Sequence, residues 1–115
     1  MESKADTLVL IWSSRDREVA KNMVFMYAKN SRLKNWWPAV RLVVWGPSAS
    51  LLAEDAELQA ELEELKRAGV ELLACRACAD KYGVAPRLEE LGLQVIYMGA
   101  PLTEYLQTGL PVLTF

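Results

Sequence analysis

Two cysteines, Cys75 and Cys78, are the residues of this chain whose types and spacing suggest chemistry. Cys75 ends an apolar run that begins at Val70 and is typical of a buried strand, and the residues up to Tyr82 are typical of a helix. A thiol at a strand-to-helix junction lies where the helix N-terminus stabilises its thiolate, and the neighbouring Arg76 favours the same charged form. These features indicate that Cys75 is a candidate nucleophile.

The spacing of Cys75 and Cys78 leaves four interpretations open. Cys75 can be a nucleophile that carries a persulfide, or the two thiols can form a reversible disulfide. The thiolates can also be half of a zinc site, but tetrahedral zinc then requires further ligands from a second chain. Finally, either thiol can simply fill space in the core, an interpretation that is stronger for Cys78 than for Cys75, because free cysteine is among the most buried residue types.

The chain contains no histidine. This absence excludes Ser-His-Asp and Cys-His catalysis within the chain, together with any zinc site that includes histidine. A general base that works near neutral pH would have to be a carboxylate, a lysine or a thiolate with a shifted pKa. We expect neither a metal nor an organic cofactor.

Length and charge narrow the class of protein further. A chain of 115 residues predicts one domain, and a formal charge of −2 without a basic stripe argues against nucleic acid as a partner. No apolar run approaches the roughly 20 residues that a membrane span requires. The polar residues 1–7 carry no secretory signal, so we expect a cytoplasmic protein with reduced cysteines.

Five apolar segments alternate with helical ones, a pattern that predicts an α/β fold with a parallel sheet between helices. Helical spacing predicts helices over residues 17–29, 51–68 (as one helix or two), 77–82, 87–91 and 101–107. Apolar runs predict strands over residues 7–12, 39–45, 70–75, 93–98 and 110–115. Pro111 cannot donate to a strand ladder, which favours an edge position for the last strand.

Loops at the carboxyl ends of parallel strands are the usual binding region of such a sheet. In addition to Cys75, Cys78 and Arg76, we therefore select as candidate binding residues those that follow the other strands, namely Ser13, Gly46, Pro47, Ser48, Met98 and Gly99. The Gly46-Pro47-Ser48 loop is too short for a phosphate loop, and a plain turn is its simplest interpretation. It follows the strand that precedes the cysteine strand in sequence, so the two loops are expected to be neighbours.

The sequence resembles the DsrE/DsrF-like family, which includes the TusD-type sulfur-relay proteins. The resemblance rests on the apolar strand VELLA that ends at Cys75, the short helix after it and Gly83 at the end of that helix. It extends over nearly the whole chain, including Met98-Gly99 after the fourth strand, so we treat residues 1–115 as a single DsrE/DsrF-like domain.

The resemblance implies a three-layer α/β/α fold whose five-stranded parallel sheet has the order 4-3-2-1-5. It also implies a homotrimer or homohexamer, and a role for Cys75 as acceptor of sulfane sulfur, held as a persulfide and exchanged with donor and acceptor proteins. Cys78 has no counterpart in the simplest relay motif and is a possible resolving thiol. The alternatives are a non-catalytic oligomeric binding module of the same fold and a Cys75/Cys78 dithiol redox protein.

Overall fold

The computed structural model describes residues 5–115, in which one five-stranded sheet is flanked by helices. The strands are β1 (Thr7–Trp12), β2 (Ala39–Val44), β3 (Glu71–Cys75), β4 (Gln94–Ile96) and β5 (Val112–Thr114). The helices are α1 (Arg17–Val19), α2 (Met26–Leu33), α3 (Ser48–Glu54), α4 (Ala56–Ala68), α5 (Arg76–Tyr82), α6 (Ala85–Glu90) and α7 (Gly99–Gln107). The first four residues of the polar N-terminal stretch lie outside this description.

All strand pairs are parallel, and the order across the sheet is β4-β3-β2-β1-β5. Both the parallel sheet and the order implied by the resemblance are therefore confirmed. The cysteine strand β3 lies between β2 and β4, whereas β5 pairs with β1 alone and forms an edge, as Pro111 predicted. Because the strands are parallel, the loops after β1, β2, β3 and β4 open at one edge of the sheet.

Two apolar clusters cover the two faces of the sheet, because successive side chains of a strand point to opposite sides. The larger cluster packs Leu10, Leu42 and Leu72 against the helices that precede β4. The smaller cluster packs Val43 and Leu73, on the opposite face, against α7. The three-layer α/β/α prediction is confirmed, with the second helical layer formed by α7.

The first helical region is longer and less regular than its sequence pattern predicted. It continues through α2 to Leu33, and its middle part, Ala20–Phe25, is a π-helix. Asp16 caps the N-terminus by accepting hydrogen bonds from the backbone N–H groups of Glu18 and Val19. The helix therefore begins at a carboxylate, one of the side chains that helix N-caps favour.

The second helical region is divided into α3 and α4 at Asp55, whose extended backbone (φ −103°, ψ 105°) ends one helix and begins the next. The Asp55 carboxylate accepts from Leu58 N–H at 3.0 Å and pairs with Arg17 at 2.7 Å. These contacts lower the pKa of Asp55, with the backbone hydrogen bond as the larger cause. The break thus joins α4 to α1.

Across residues 5–115, the structure shows no helix that is both long and apolar enough to span a bilayer.

Candidate functional site

Cys75 is the last residue of β3 and the N-cap of α5, at the strand-to-helix junction that the sequence predicted. Its backbone is still extended (φ −69°, ψ 117°), and the residue is only 4% exposed. Strand alternation directs Cys75 and Leu73 to the sheet face covered by α7, where both belong to the smaller apolar cluster. The thiol therefore lies at the carboxyl edge of the sheet, beneath an apolar cover.

Cys78 is the third residue of α5 and is partly buried, packed on the apolar cluster that contains Cys75. The backbone N–H of Gly46 donates to the Cys78 sulfur. Burial raises the pKa of the Cys78 thiol, the Gly46 hydrogen bond opposes that rise, and the contact with Cys75 adds to it. Both cysteines are free thiols, so the site holds two reducing equivalents on neighbouring residues of one helical turn.

The Gly46-Pro47-Ser48 loop is brought to the cysteines because β2 and β3 are adjacent strands. Gly46 has a φ of +75°, a left-handed conformation that costs glycine little and other residues more. Ser48 is fully buried, and its hydroxyl donates to the carbonyl of Trp12 and lies 3.3 Å from that of Trp45. Ser48 thus holds the loop against the ends of β1 and β2, and the expectation that the two loops are neighbours is confirmed.

Ser13 lies at the same edge of the sheet and makes hydrogen bonds there to two other segments of the chain. Its backbone carbonyl accepts from Ser48 N–H at 3.0 Å, and its hydroxyl donates to the carbonyl of Phe115 at 2.9 Å. The structure therefore places Ser13 between the Gly46 loop and the C-terminal residue, and its side chain is engaged there.

Met98 and Gly99 follow β4 and lie at the start of α7. Met98 is 1% exposed and packs in the same apolar cluster as Cys75, so the structure brings these two sulfur-containing side chains together. Gly99 opens α7, and nothing lies within 4 Å of where a Cβ would stand. Met98 is thus part of the wall of the site, whereas Gly99 supplies only backbone.

Arg76 directs its guanidinium towards α6 and β4. It donates to the carbonyl of Val95 at 3.0 Å and lies 3.4 Å from the Glu89 carboxylate and 3.9 Å from that of Asp80. These contacts tie the first turn of α5 to its neighbours. The expectation that the Arg76 charge stabilises a Cys75 thiolate stays a prediction.

Three side chains that the sequence reasoning did not select complete the wall around the cysteines. Trp45 follows β2, and Leu102 and Tyr105 lie on α7; all three pack on the cluster that contains Cys75. The Tyr105 ring lies 5.0 Å from the Arg41 guanidinium, a contact that helps to fix α7 over the sheet. Their only signals in the sequence are the strand end at Trp45 and the apolar spacing of three residues on the last helix.

No group of three or more Cys, Asp or Glu side chains converges on one point within residues 5–115. The two cysteines are therefore the reactive groups that this arrangement brings together. A buried thiol, a neighbouring thiol and a backbone N–H donor, lined by apolar side chains, can support nucleophilic attack on sulfur and thiol–disulfide exchange.

Comparison with known proteins concerns the chain as a whole. The model of the DsrE/DsrF-like family matches residues 10–115. A conserved protein of unknown function from Bacteroides thetaiotaomicron, BT1422, has a TM-score of 0.93 and 38% identity over 96% of this chain and 95% of that chain. A search of curated proteins finds no significant match.

Two more distant structures share the fold. The ychN protein of E. coli has a TM-score of 0.74, and MTH1491 of Methanobacterium thermoautotrophicum, of unknown function, has 0.70. Each is 20% identical to this chain, covers 97% of it and is matched over 100% of its own length. At this identity the likeness concerns the arrangement of strands and helices.

Proposed function

We propose that this chain, which belongs to the DsrE/DsrF-like family, accepts sulfane sulfur as a persulfide on Cys75 and passes it to a further thiol. The observation that carries the proposal is the position of Cys75 at the carboxyl end of β3, where it is also the N-cap of α5. The thiolate of Cys75 attacks the outer sulfur of a donor persulfide, the donor leaves as its thiolate, and Cys75 gains one sulfur atom.

The surroundings of Cys75 suit a bound sulfane sulfur better than a hydrolytic intermediate. Met98, Leu73 and the partly buried Trp45 belong to or pack on the same apolar cluster as the thiol, which is therefore lined by apolar or polarisable groups. The absence of histidine removes the usual base for activating water, whereas a thiolate attacks sulfur without a separate base. Transfer of sulfur between thiols is therefore the chemistry that these groups favour.

The acceptor role is tested in the Cys78→Ser variant, in which Cys75 is the one remaining thiol of the chain. After incubation with glutathione persulfide and removal of excess donor, intact mass is expected to show one added sulfur atom. The Cys75→Ser variant, matched in size and polarity, is expected to gain none. A Cys78→Ser protein that stays unmodified while correctly folded, as judged by circular dichroism, would rule out the proposal.

The burial of Cys75 favours a second candidate, a binding module of the same fold whose carboxyl-edge cleft holds a ligand or a partner. In that case the 4% exposure of Cys75 reflects a packing role, and the thiol reacts with persulfide only after denaturation. Comparing adduct formation in native buffer and in urea separates the two functions, because an acceptor gains sulfur in the native state.

We also propose that the protein forms a homotrimer or homohexamer and exchanges sulfur with separate donor and acceptor proteins. Exposed apolar side chains support self-association: Met23, Met26, Trp36 and Leu113 line a groove of about 510 Å³ between the first helical region and the β5 edge. Met26→Glu is expected to lower the mass measured by sedimentation, whereas Leu33→Glu, at an exposed apolar side chain outside the groove, is expected to leave it unchanged. An equal effect of both variants would show that the groove is not the contact.

A further inference from the structure

The contact between Cys75 and Cys78 has no part in sulfur acceptance, which needs one thiol. The two residues occupy the N-cap and the third position of α5, and Cys78 packs on the apolar cluster to which Cys75 belongs. Residues three apart in a helical turn have Cα atoms within the roughly 4.4–6.8 Å that a disulfide spans. The pair can therefore be joined by rotation of side chains, without rearrangement of the sheet.

We propose that Cys78 is the resolving thiol of this site, which attacks the Cys75 persulfide, releases hydrosulfide and leaves a Cys75–Cys78 disulfide. This inference rests on the proposed acceptor role of Cys75 and adds a second fate for its sulfur. The chain then converts sulfane sulfur to sulfide when no acceptor protein takes it.

The reaction balances with the two cysteines of the site and one external reductant. The Cys78 thiolate forms a bond to the Cys75 sulfur, the bond from that sulfur to the outer sulfur breaks, and the outer sulfur leaves as hydrosulfide with the electron pair. The outer sulfur is reduced while the two cysteine sulfurs are oxidised. A cellular dithiol then reduces the disulfide by exchange, becomes a disulfide itself and restores both thiols.

The Gly46 loop provides Cys78 with a hydrogen-bond donor, which a residue with a packing role alone does not need. The Gly46 N–H donates to the Cys78 sulfur and so stabilises the thiolate that must attack. Cys78 is also partly buried where Cys75 is nearly fully buried, so the resolving thiol lies on the outer side of the pair. Because burial raises the Cys78 pKa, the attacking thiolate is scarce at neutral pH, and resolution accelerates as pH rises.

The test is a single turnover in which wild type and Cys78→Ser are loaded with glutathione persulfide and freed of excess donor. Hydrosulfide release and intact mass are then followed at several pH values. Wild type is expected to release one hydrosulfide per chain, faster at higher pH, and to end two hydrogen atoms lighter than the dithiol. Cys78→Ser is expected to keep its added sulfur, and its slow loss measures background release.

The possible outcomes separate this inference from the acceptor role. If wild type keeps its sulfur as long as Cys78→Ser, Cys78 does not resolve the persulfide and the acceptor role stands. If Cys78→Ser gains no sulfur, both proposals are overturned. If Cys75→Ser gains sulfur on Cys78, the roles assigned to the two thiols are wrong.

Discussion

Replacing Gly46 by alanine is expected to destabilise the chain modestly and to slow the reaction of Cys78 with alkylating agents. The left-handed φ of +75° costs an alanine roughly 1–2 kcal/mol. Steric conflict adds little, because the nearest atom to an added Cβ is the Ser13 Cβ at 3.9 Å. The lower entropy of alanine in the unfolded chain offsets about 0.4–1 kcal/mol.

The expected loss in the free energy of unfolding is therefore about 1 kcal/mol, which corresponds to a fall in Tm of about 4 °C for a chain of this length. We expect the residual strain to turn the peptide slightly and to move the Gly46 N–H away from Cys78. Because that hydrogen bond lowers the Cys78 pKa, its loss leaves less thiolate at a fixed pH. The change in reactivity is thus tied to the geometry of one peptide.

The assay uses a Cys75→Ser background, in which Cys78 is the one thiol, and measures its alkylation rate as a function of pH. The matched control is Gly109→Ala, since Gly109 also has a left-handed φ, of +80°, with no atom within 4 Å of an added Cβ. Gly109→Ala is expected to lower Tm by a similar amount and to leave the alkylation profile unchanged. Equal alkylation profiles for Gly46→Ala and Gly109→Ala would refute the assigned contact between Gly46 and Cys78.

Three further predictions concern stability and are measured by urea unfolding. The folded-state pKa of Cys78 is raised above the ordinary thiol value of 9.0. The stability that the neutral thiol contributes is therefore complete below that value and is lost as pH rises through the folded pKa. Wild type should lose stability more steeply in alkali than Cys78→Ala. The pKa of Asp55 is lowered from 3.8, so the stability that its carboxylate contributes is present above that value and is lost as pH falls. Asp55→Ala should cost about 1 kcal/mol of unfolding free energy at neutral pH and make stability depend less on pH in acid. Asp55→Asn should keep most of the capping contribution. Ser48→Ala should cost about 0.5–1.5 kcal/mol of unfolding free energy. The larger penalty of an unsatisfied buried group is not expected, because the carbonyl of Trp12, which accepts from the Ser48 hydroxyl, still accepts from Trp45 N–H. A loss above about 3 kcal/mol would contradict this account.

The strands and their carboxyl-end loops could be predicted from the sequence because their signals are local. Apolar runs stop at Gly46-Pro47, at Cys75 and at Met98-Gly99, and each stop marks a real strand end within one or two residues. The sequence predicts one helix or two over residues 51–68, because only part of the Asp55 signal is local: the carboxylate caps α4 at Leu58 N–H and also pairs with Arg17 in another helix.

Much of the candidate site was less accessible to sequence reasoning. The candidate residues that follow the strands lie at one edge of the sheet, but the side chains of Ser13 and Arg76 make internal hydrogen bonds there, with Phe115 and Val95. Leu102 and Tyr105 were missed, because an apolar pair on a helix does not indicate which sheet face it covers. Their place follows from the return of α7 across the sheet to β5.

The sequence by itself determined that a thiol, Cys75, stands where a buried strand meets a helix, since apolar periodicity and chain-breaking residues act within a few positions. The tertiary structure decided that Cys75 is buried, that α7 covers it and that the Gly46 N–H reaches Cys78. These contacts join residues far apart in the chain, and they exist only because the strand order places β2 and β4 on either side of β3.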